Sequence, residues 1–349
     1  MISLAQQAER TPADIANIAA TLCGAGVSSV SAVRGGGNNR VYRVSTGDGD
    51  FALKVYPSRV DDPRDRLGTE FGALTFLFDN GITTVPRPVG RDDSAGIGLY
   101  EWIDGQTVID PQSADIDAAA DFARRLRGLS RHPDAAELSP ASESCPAASE
   151  LVRQIESRFQ RLRAIEGNDA LAVFLENALL PFAQASIDQA RNAYARDSRD
   201  FDADLAHDAL TLSPSDFGFH NALRRDDGSV AFIDFEYFGW DDPVRLAVDF
   251  LLHPGMTLDS SMRLRFTGHA LEIFGEDATF RRRLELLFPL VGVRWCAILL
   301  NEFFPECWAR RAYAGVTENR ETVQLQQLEK SRCLLARLQA PKESFNDPV

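Results

Sequence analysis

Apolar residues near the start of the chain recur at helical spacing between residues that favour helix ends. Thr11 can cap a helix in which Ile15 and Leu22 fall on one face, and Gly24 can end it. The pattern therefore predicts a short helix from Pro12 to about residue 23, before the periodicity changes.

The next part of the chain alternates in the way that is typical of strands. Three runs, VSAV, VYRV and FALKVY, lie between Val30 and Val55, and turn residues separate them at Gly35–Asn39 and Gly47–Asp50. This pattern predicts an antiparallel meander. Helical spacing then returns over Arg66–Phe78, and a further strand is expected over Ile97–Trp102.

Beyond Ile103 the pattern is mostly helical. We predict an α+β chain with an N-terminal helical extension at 1–27 and a small lobe of antiparallel sheet with one helix at 28–103. A larger, mainly helical lobe at 104–340 and a tail at 341–349 complete the predicted organisation. The helices expected in the larger lobe are Ala114–Leu129, Ala148–Ile165, Ala170–Arg196, Leu284–Phe304 and Asn319–Leu338.

The net charge and the hydrophobic content of the chain indicate which classes of binding partner are unfavourable. The chain has 349 residues, and 51 acidic against 37 basic residues give a net charge of −14. Such a surface repels nucleic acid and anionic lipid, so we expect neither partner. The most apolar later segment, Leu286–Leu300, contains Pro289 and Arg294 and is too short to span a bilayer.

The cysteines and the N-terminal sequence indicate the cellular compartment of the protein. Five cysteines form no CxxC pair, which makes a disulfide framework and a zinc site poor interpretations. The first twenty residues do not place an apolar stretch after a basic one, as a signal peptide would. We therefore expect a cytoplasmic protein.

Polar residues interrupt the apolar runs at a few positions that suit phosphate chemistry. Lys54 stands alone in an apolar strand, and Glu70 on the following helix can pair with it. Asp216 precedes Asn221 by five residues, and Asp234 follows within the apolar run VAFIDF. These oxygen donors can hold a base and a Mg²⁺ site around one nucleotide.

Each of these residues also has a plainer interpretation. Lys54 could point to water from an edge strand, and Asp234 could cap a turn or form a simple ion pair. The glycine-rich segment Gly35–Asn39 could bring backbone N–H groups to a phosphate, or it could be an ordinary hairpin turn.

Together, these residues and spacings resemble the aminoglycoside phosphotransferase and choline kinase group, which shares the protein-kinase fold. The resemblance covers about residues 28 to 305, and the stretch from Asp216 to Asp242 is its most specific part. It implies that Lys54 binds the α and β phosphates of ATP and that Glu70 fixes this lysine. Asp216 would be the catalytic residue, and Asn221 and Asp234 would bind the metal.

The resemblance also implies how the rest of the nucleotide is bound. The phosphate loop would include Gly36, Gly37, Asn38 and Asn39. The segment YEWIDG would link the lobes and contact adenine through the C=O of Glu101 and the N–H of Ile103. One departure stands out, because the family usually has His two residues before the catalytic Asp, where this chain has Pro214.

The phosphate acceptor is expected near the C-terminal helices. Trp295, Glu302 and Glu306 fall on one face of a predicted helix and could hold an ammonium or aminosugar group. The alternative is a core helix with Trp295 packed and Glu302 paired to an arginine. Glu236 is a further candidate for the acceptor side, or else a solvated loop residue.

The histidines add little to this prediction. His220 lies between the expected base and Asn221, and loop packing is the interpretation that we favour for it. His132 and His253 each stand beside a proline, and we interpret both as structural.

Three functions fit these patterns. The first is an ATP- and Mg²⁺-dependent phosphotransferase acting on a hydroxyl of a small molecule, such as an aminoglycoside, an amino-alcohol or a sugar-like compound. The second is a nucleotide-binding pseudokinase that serves as scaffold or regulator, which the loss of the family His at Pro214 motivates. A protein kinase is the third, although Phe235–Pro243 is short for an activation segment.

Overall fold

An antiparallel sheet organises the N-terminal part of the protein. The computed structural model describes residues 10–33, 39–57, 62–313 and 318–340. The five strands lie in the order β1-β2-β3-β5-β4, and the predicted meander is confirmed. Their bounds are β1 (Val27–Val33), β2 (Arg40–Thr46), β3 (Gly49–Val55), β4 (Pro88–Asp92) and β5 (Ile97–Glu101).

Two helices accompany this sheet. The predicted N-terminal helix is confirmed as α1 (Pro12–Cys23), and the Thr11 side chain accepts the backbone N–H of Asp14 in a capping box. The second helix is α2 (Arg66–Asp79). α1 packs on the sheet because its apolar face shares one fully buried cluster with the strands. The members of that cluster are Ile15, Ala19, Val44, Leu53, Ile97 and Leu99.

The remaining chain is mainly helical, as predicted. Its helices are α3 (Ser113–Leu129), α4 (Ala148–Arg163), α5 (Asp169–Phe174), α6 (Leu180–Arg196), α7 (Pro243–Leu252), α8 (Ser260–Ile273), α9 (Phe280–Leu299), α10 (Pro305–Tyr313) and α11 (Arg320–Gln339). Short strands form two small antiparallel sheets, ordered β6-β8-β9 and β10-β7. They are β6 (Gln106–Thr107), β7 (Thr211–Ser213), β8 (Ala222–Arg224), β9 (Val230–Phe232) and β10 (Gly239–Asp241).

The described residues divide into two compact units. The first contains the chain up to Thr107 together with Asn221–Phe238, and the second contains most of the remainder. Asn221–Phe238 joins the first unit because β8 pairs with β6 and because Phe232 donates a 2.8 Å hydrogen bond to the Thr84 carbonyl. The predicted organisation had placed this segment in the lobe at 104–340.

Several helices differ from their predicted bounds. The helix expected over Leu284–Phe304 ends at Leu299, and a 3₁₀ segment precedes α10. The helix expected over Ala170–Arg196 contains a π-helical turn at Leu175–Leu179. Helices α7, α8 and α10 had no counterpart in the prediction.

Two helical stretches are long and apolar enough to cross a membrane when judged by length and composition alone. They are Asp169–Arg196 and Phe280–Phe303, and 72% of the most apolar window in the second is buried inside the protein. A buried core helix meets the same two criteria. The expected lack of a membrane partner therefore stays a prediction.

We expect Leu53→Ala to lower the free energy of unfolding by about 2–5 kcal/mol, because the substitution leaves a cavity between α1 and the sheet. Leu53 is fully buried, whereas Val33 at the end of β1 is 39% exposed. Val33→Ala is therefore the control, with an expected change within about 0.5 kcal/mol. Urea unfolding followed by circular dichroism measures both, and equal losses would contradict the assigned core.

Candidate active site

A buried lysine brings three distant segments together in the first unit. Lys54 Nζ on β3 lies 2.9 and 2.6 Å from the two carboxylate oxygens of Glu70 on α2. It also donates a 2.7 Å hydrogen bond to Oδ1 of Asp234, which follows β9. A buried ammonium group needs anionic partners of this kind. The two distances confirm the predicted pairing of Lys54 with Glu70.

The charges around Lys54 keep it protonated. Burial alone would lower the pKa of Lys54, but the carboxylates of Asp234 and Glu70 outweigh burial and raise this pKa above its usual range. The Tyr56 hydroxyl donates a 2.6 Å hydrogen bond to Glu70, and the N–H of Phe235 lies 3.3 Å from the same carboxylate. These bonds fix the carboxylate against β3, so that the lysine is held in one place.

Asp234 occupies a strained position. Its backbone has φ 70°, in the left-handed region that non-glycine residues seldom adopt. The neighbouring Ile233 N–H donates to the carbonyl of Asn221, the residue directly before β8, at 2.9 Å. The Asp234 side chain remains 33% exposed, in contrast to the buried Glu70. Backbone strain of this kind concentrates at functional sites, and here the strained residue carries the partly exposed carboxylate that binds Lys54.

Glu236 is buried beside Asp234 and Lys54, and both of its carboxylate oxygens have partners. Asn39 donates a 2.6 Å hydrogen bond to one carboxylate oxygen, and Arg66 forms an ion pair with the other. Arg66 in turn donates to Asp62 at 2.8 Å. Only 2% of Glu236 is exposed. It is therefore not the solvated loop residue that the sequence allowed, and its contact with an acceptor stays a prediction.

The arrangement suits a hard cation. Oxygen atoms of Glu70, Asp234 and Glu236 lie within 4.8 Å of one another, and we call these residues with Lys54 the Lys54 cluster. Burial, and after it the nearby charge of Asp234, raises the pKa of Glu236. A cation with oxygen ligands would relieve this repulsion, and Asp234 offers the most exposed carboxylate. Asn221, the other predicted metal ligand, begins the segment that carries β8 and β9.

The predicted catalytic residue lies in the second unit. Asp216 follows β7 in a loop where Ser215 has φ 67°. Its Oδ1 atom lies 3.1 Å from Nε2 of His253 and 3.3 Å from Nε2 of His220. Burial would raise the pKa of Asp216, but the two imidazoles outweigh it and hold this pKa below its usual range. Asp216 is consequently ionised at neutral pH.

Sequence reasoning missed the contribution of His253, because the residue lies 37 positions from Asp216 and beside Pro254. A signal was present in the segment DPVRLAVDFLLHP. A single histidine follows the apolar residues FLL in this segment, in the same way as Asp234 follows the apolar residues AFI. A polar residue that ends a buried segment was the common feature.

Only some of the other residues predicted to contact the nucleotide are among the described residues. Gly36, Gly37 and Asn38 lie outside the described residues, whereas Asn39 is buried and bound to Glu236. Glu101 is the last residue of β5, and Ile103 follows it in a buried position. The roles assigned to these residues stay predictions.

The predicted acceptor residues do not share one helical face. Trp295 lies on α9, Glu302 in the 3₁₀ segment and Glu306 on α10, because the α-helix ends at Leu299. Trp295 is buried and Glu302 pairs with Arg311, as the core-helix alternative stated. Glu306 pairs with Arg161 on the surface.

We expect Glu70→Gln to lower the free energy of unfolding by roughly 3 kcal/mol, because it removes one partner from a buried ion pair. The matched control on the same helix is Asp79→Asn, which changes an exposed carboxylate and should shift the free energy by less than about 0.5 kcal/mol. Urea titration measures both variants. Equal stability of Glu70→Gln and the wild type would show that the pair contributes nothing.

The fold is shared with solved kinases of low sequence identity. Spectinomycin phosphotransferase APH(9)-Ia, solved with ADP and spectinomycin, superposes with a TM-score of 0.65 at 13% identity over 95% of this chain and 99% of that chain. Amicoumacin kinase hAmiN, solved with AMP-PNP and Ca²⁺, has a TM-score of 0.59 at 14% identity, covering 94% of each chain. Choline kinase LicA from Streptococcus pneumoniae has a TM-score of 0.56 at 16% identity over 93% of this chain and 98% of that chain.

Comparison of the sequence itself gives the family. A search of curated proteins finds no significant match. A sequence model described as the phosphotransferase enzyme family matches residues 29–283, which is more than half of the 349 residues. This range includes the Lys54 cluster and Asp216, and the fold agrees with it. The chain therefore belongs to the phosphotransferase enzyme family and is a small-molecule kinase with a protein-kinase-like fold.

Proposed function

We propose that this enzyme transfers the γ-phosphate of ATP, in the presence of Mg²⁺, to a hydroxyl group of a small molecule. The Lys54 cluster is the observation that carries the proposal. A protonated, immobilised lysine beside carboxylates matches what phosphoryl transfer needs, which is positioning and charge neutralisation rather than covalent catalysis by the protein.

Lys54 would bind the α and β phosphates, because its ammonium group is held in a fixed position by Glu70. Asn221 and Asp234 would hold the magnesium ion through oxygen atoms. The ion would supply charge neutralisation for the phosphates when bound.

Asp216 would accept the proton of the acceptor hydroxyl. The hydroxyl oxygen forms a bond to the γ-phosphorus, and the bond from that phosphorus to the β-phosphate oxygen breaks. The products are ADP and a phosphate ester, and the proton passes to Asp216. An ionised carboxylate suits this role because it is ready to accept a hydrogen bond from the hydroxyl.

The proposed acceptor class follows from the similar structures, which are a spectinomycin phosphotransferase, an amicoumacin kinase and a choline kinase. We therefore propose a hydroxyl-bearing small molecule, with an amino-containing compound as the first choice. An odd number of cysteines without a CxxC pair fits a reducing compartment, and we propose a cytoplasmic location.

A screen of purified protein with ATP and Mg²⁺ tests the proposal. The panel contains aminoglycosides, spectinomycin, choline, ethanolamine and simple sugars, and ADP release is measured for each. We expect at least one compound to be phosphorylated, with the product identified by mass spectrometry. Tight ATP binding with no compound turned over would favour the scaffold function, and a lack of ATP binding would contradict both.

Asp216→Asn should lower kcat by about 10²–10⁴-fold because it removes the base. The affinity for ATP, measured by calorimetry, should stay that of the wild type. The control Asp188→Asn changes an exposed carboxylate of α6 in the same unit and should retain full activity. Full activity in Asp216→Asn would remove this residue from the reaction.

Asp234→Asn should raise the Mg²⁺ concentration for half-maximal activity by at least about tenfold, because a metal ligand is lost. The control Asp93→Asn changes an exposed residue of the first unit. Magnesium titrations at saturating ATP compare the variants. An unchanged magnesium requirement would assign Asp234 to the ion pair with Lys54 alone.

A further inference from the structure

We infer that His253, at the C-terminal end of α7, is the positioning residue that orients the carboxylate of Asp216. The inference rests on the proposed function, since Asp216 matters for turnover only if it accepts the hydroxyl proton. It also assigns a role to a residue that the sequence indicated to be merely structural.

The hydrogen bonds of His253 define which ring nitrogen carries the proton. The backbone N–H of Gly255 points at Nδ1 over 3.0 Å, so Nδ1 accepts and is unprotonated. Burial lowers the pKa of His253, which favours the neutral ring. The single ring proton is then on Nε2 and is donated to Asp216 Oδ1 at 3.1 Å.

Aromatic contacts hold the ring plane in one orientation. The His253 ring stacks on His220 with centroids 3.7 Å apart and planes within 3°. The ring of Trp295 meets it edge-on at 4.6 Å and 77°. The Trp295 indole N–H is fixed in turn by a 2.8 Å hydrogen bond to Asp249. His253 is thus held by α7 and α9 as well as by His220, which follows Asp216 in the same loop.

Asp249 is itself held from within α7. Arg245 donates through Nε to Asp249 over 3.0 Å, and another of its nitrogens lies 3.4 Å from the hydroxyl of Ser215. Ser215 is the residue in the left-handed region directly before Asp216. α7 and the His253 that follows it therefore contact both the side chain of Ser215 and the carboxylate of Asp216.

His220 makes the longer of the two contacts with Asp216. Its Nε2 lies 3.3 Å from the same oxygen of Asp216, but among the described residues neither of its ring nitrogens has a hydrogen-bond partner with suitable geometry. Pro214, where the family usually has histidine, has no side-chain donor. The directed hydrogen bond from His253 thus takes over the support of the loop.

Removing this bond should affect the rate more than binding. A positioned base contributes about 10²–10⁴-fold, and a displacement of about 1 Å can cost 10²-fold. We therefore expect His253→Phe, which keeps a ring in the stack but lacks both nitrogens, to lower kcat by about 10–100-fold. The KM values for ATP and for the acceptor should stay within about threefold, because Lys54 and the metal ligands are unchanged.

Two further variants separate positioning from general structural damage. His253→Gln places an amide N–H near the position of Nε2 and should recover at least half of the lost activity on a logarithmic scale. The matched control His132→Phe changes a histidine that caps a 3₁₀ turn in the same unit and should retain wild-type kcat. The assay uses the panel compound that is phosphorylated fastest.

A wild-type kcat in His253→Phe would overturn the inference. So would equal losses in the Phe and Gln variants, or a rise in both KM values at constant kcat. Each of these outcomes assigns His253 to packing alone.

A measurement without turnover separates this inference from the proposed function. Nitrogen chemical shifts of ¹⁵N-histidine-labelled protein distinguish the two neutral tautomers, and His253→Gln assigns the resonances. We expect a protonated Nε2 and an unprotonated Nδ1 for His253 at neutral pH. The opposite tautomer, or a mixture of both, would overturn the inference even in an active enzyme. If no compound in the panel is phosphorylated, the proposed function fails while the tautomer is still measured.

Discussion

The ammonium group of Lys54 is the constraint on which the first unit depends. It lies in the middle strand of a five-stranded sheet and cannot be buried without anionic partners. One partner comes from α2 and the other from the segment after β9, 180 residues away in the sequence. The ion pairs that allow Lys54 to be buried therefore also bring together the carboxylates that suit a metal ion.

Much of the first unit could be predicted because its signals are local. The Thr11 cap, the alternation in β1 to β3 and the helix at Glu70 each depend on neighbouring residues, and all appear in the structure. The pair of Lys54 and Glu70 could be predicted as well, since a lone lysine in an apolar strand requires a partner and the next helix offers one. Spacing alone was sufficient for these features.

The second unit was harder to predict because long-range packing determines it. All ten residues of α7 are buried, so the helix has no face open to solvent, and its charged residues Arg245 and Asp249 pair inside the protein. The pairing of His253 with Asp216 does not follow from spacing along the chain, because it forms only where α7 and β7 pack beside each other. The end of α9 at Leu299 likewise separates Trp295 from Glu302, which no spacing rule indicated.

The complete burial of α7 has a consequence for how this enzyme can change. α7 and its C-cap residue carry side chains of two kinds, those that stabilise the core and one that lies beside the proposed base. Val248 and Phe250 are apolar core residues of this helix, and His253, whose imidazole lies beside Asp216, directly follows it. We therefore expect that a substitution in this core which shifts α7 also shifts the imidazole beside Asp216, so that core packing and reaction rate change together.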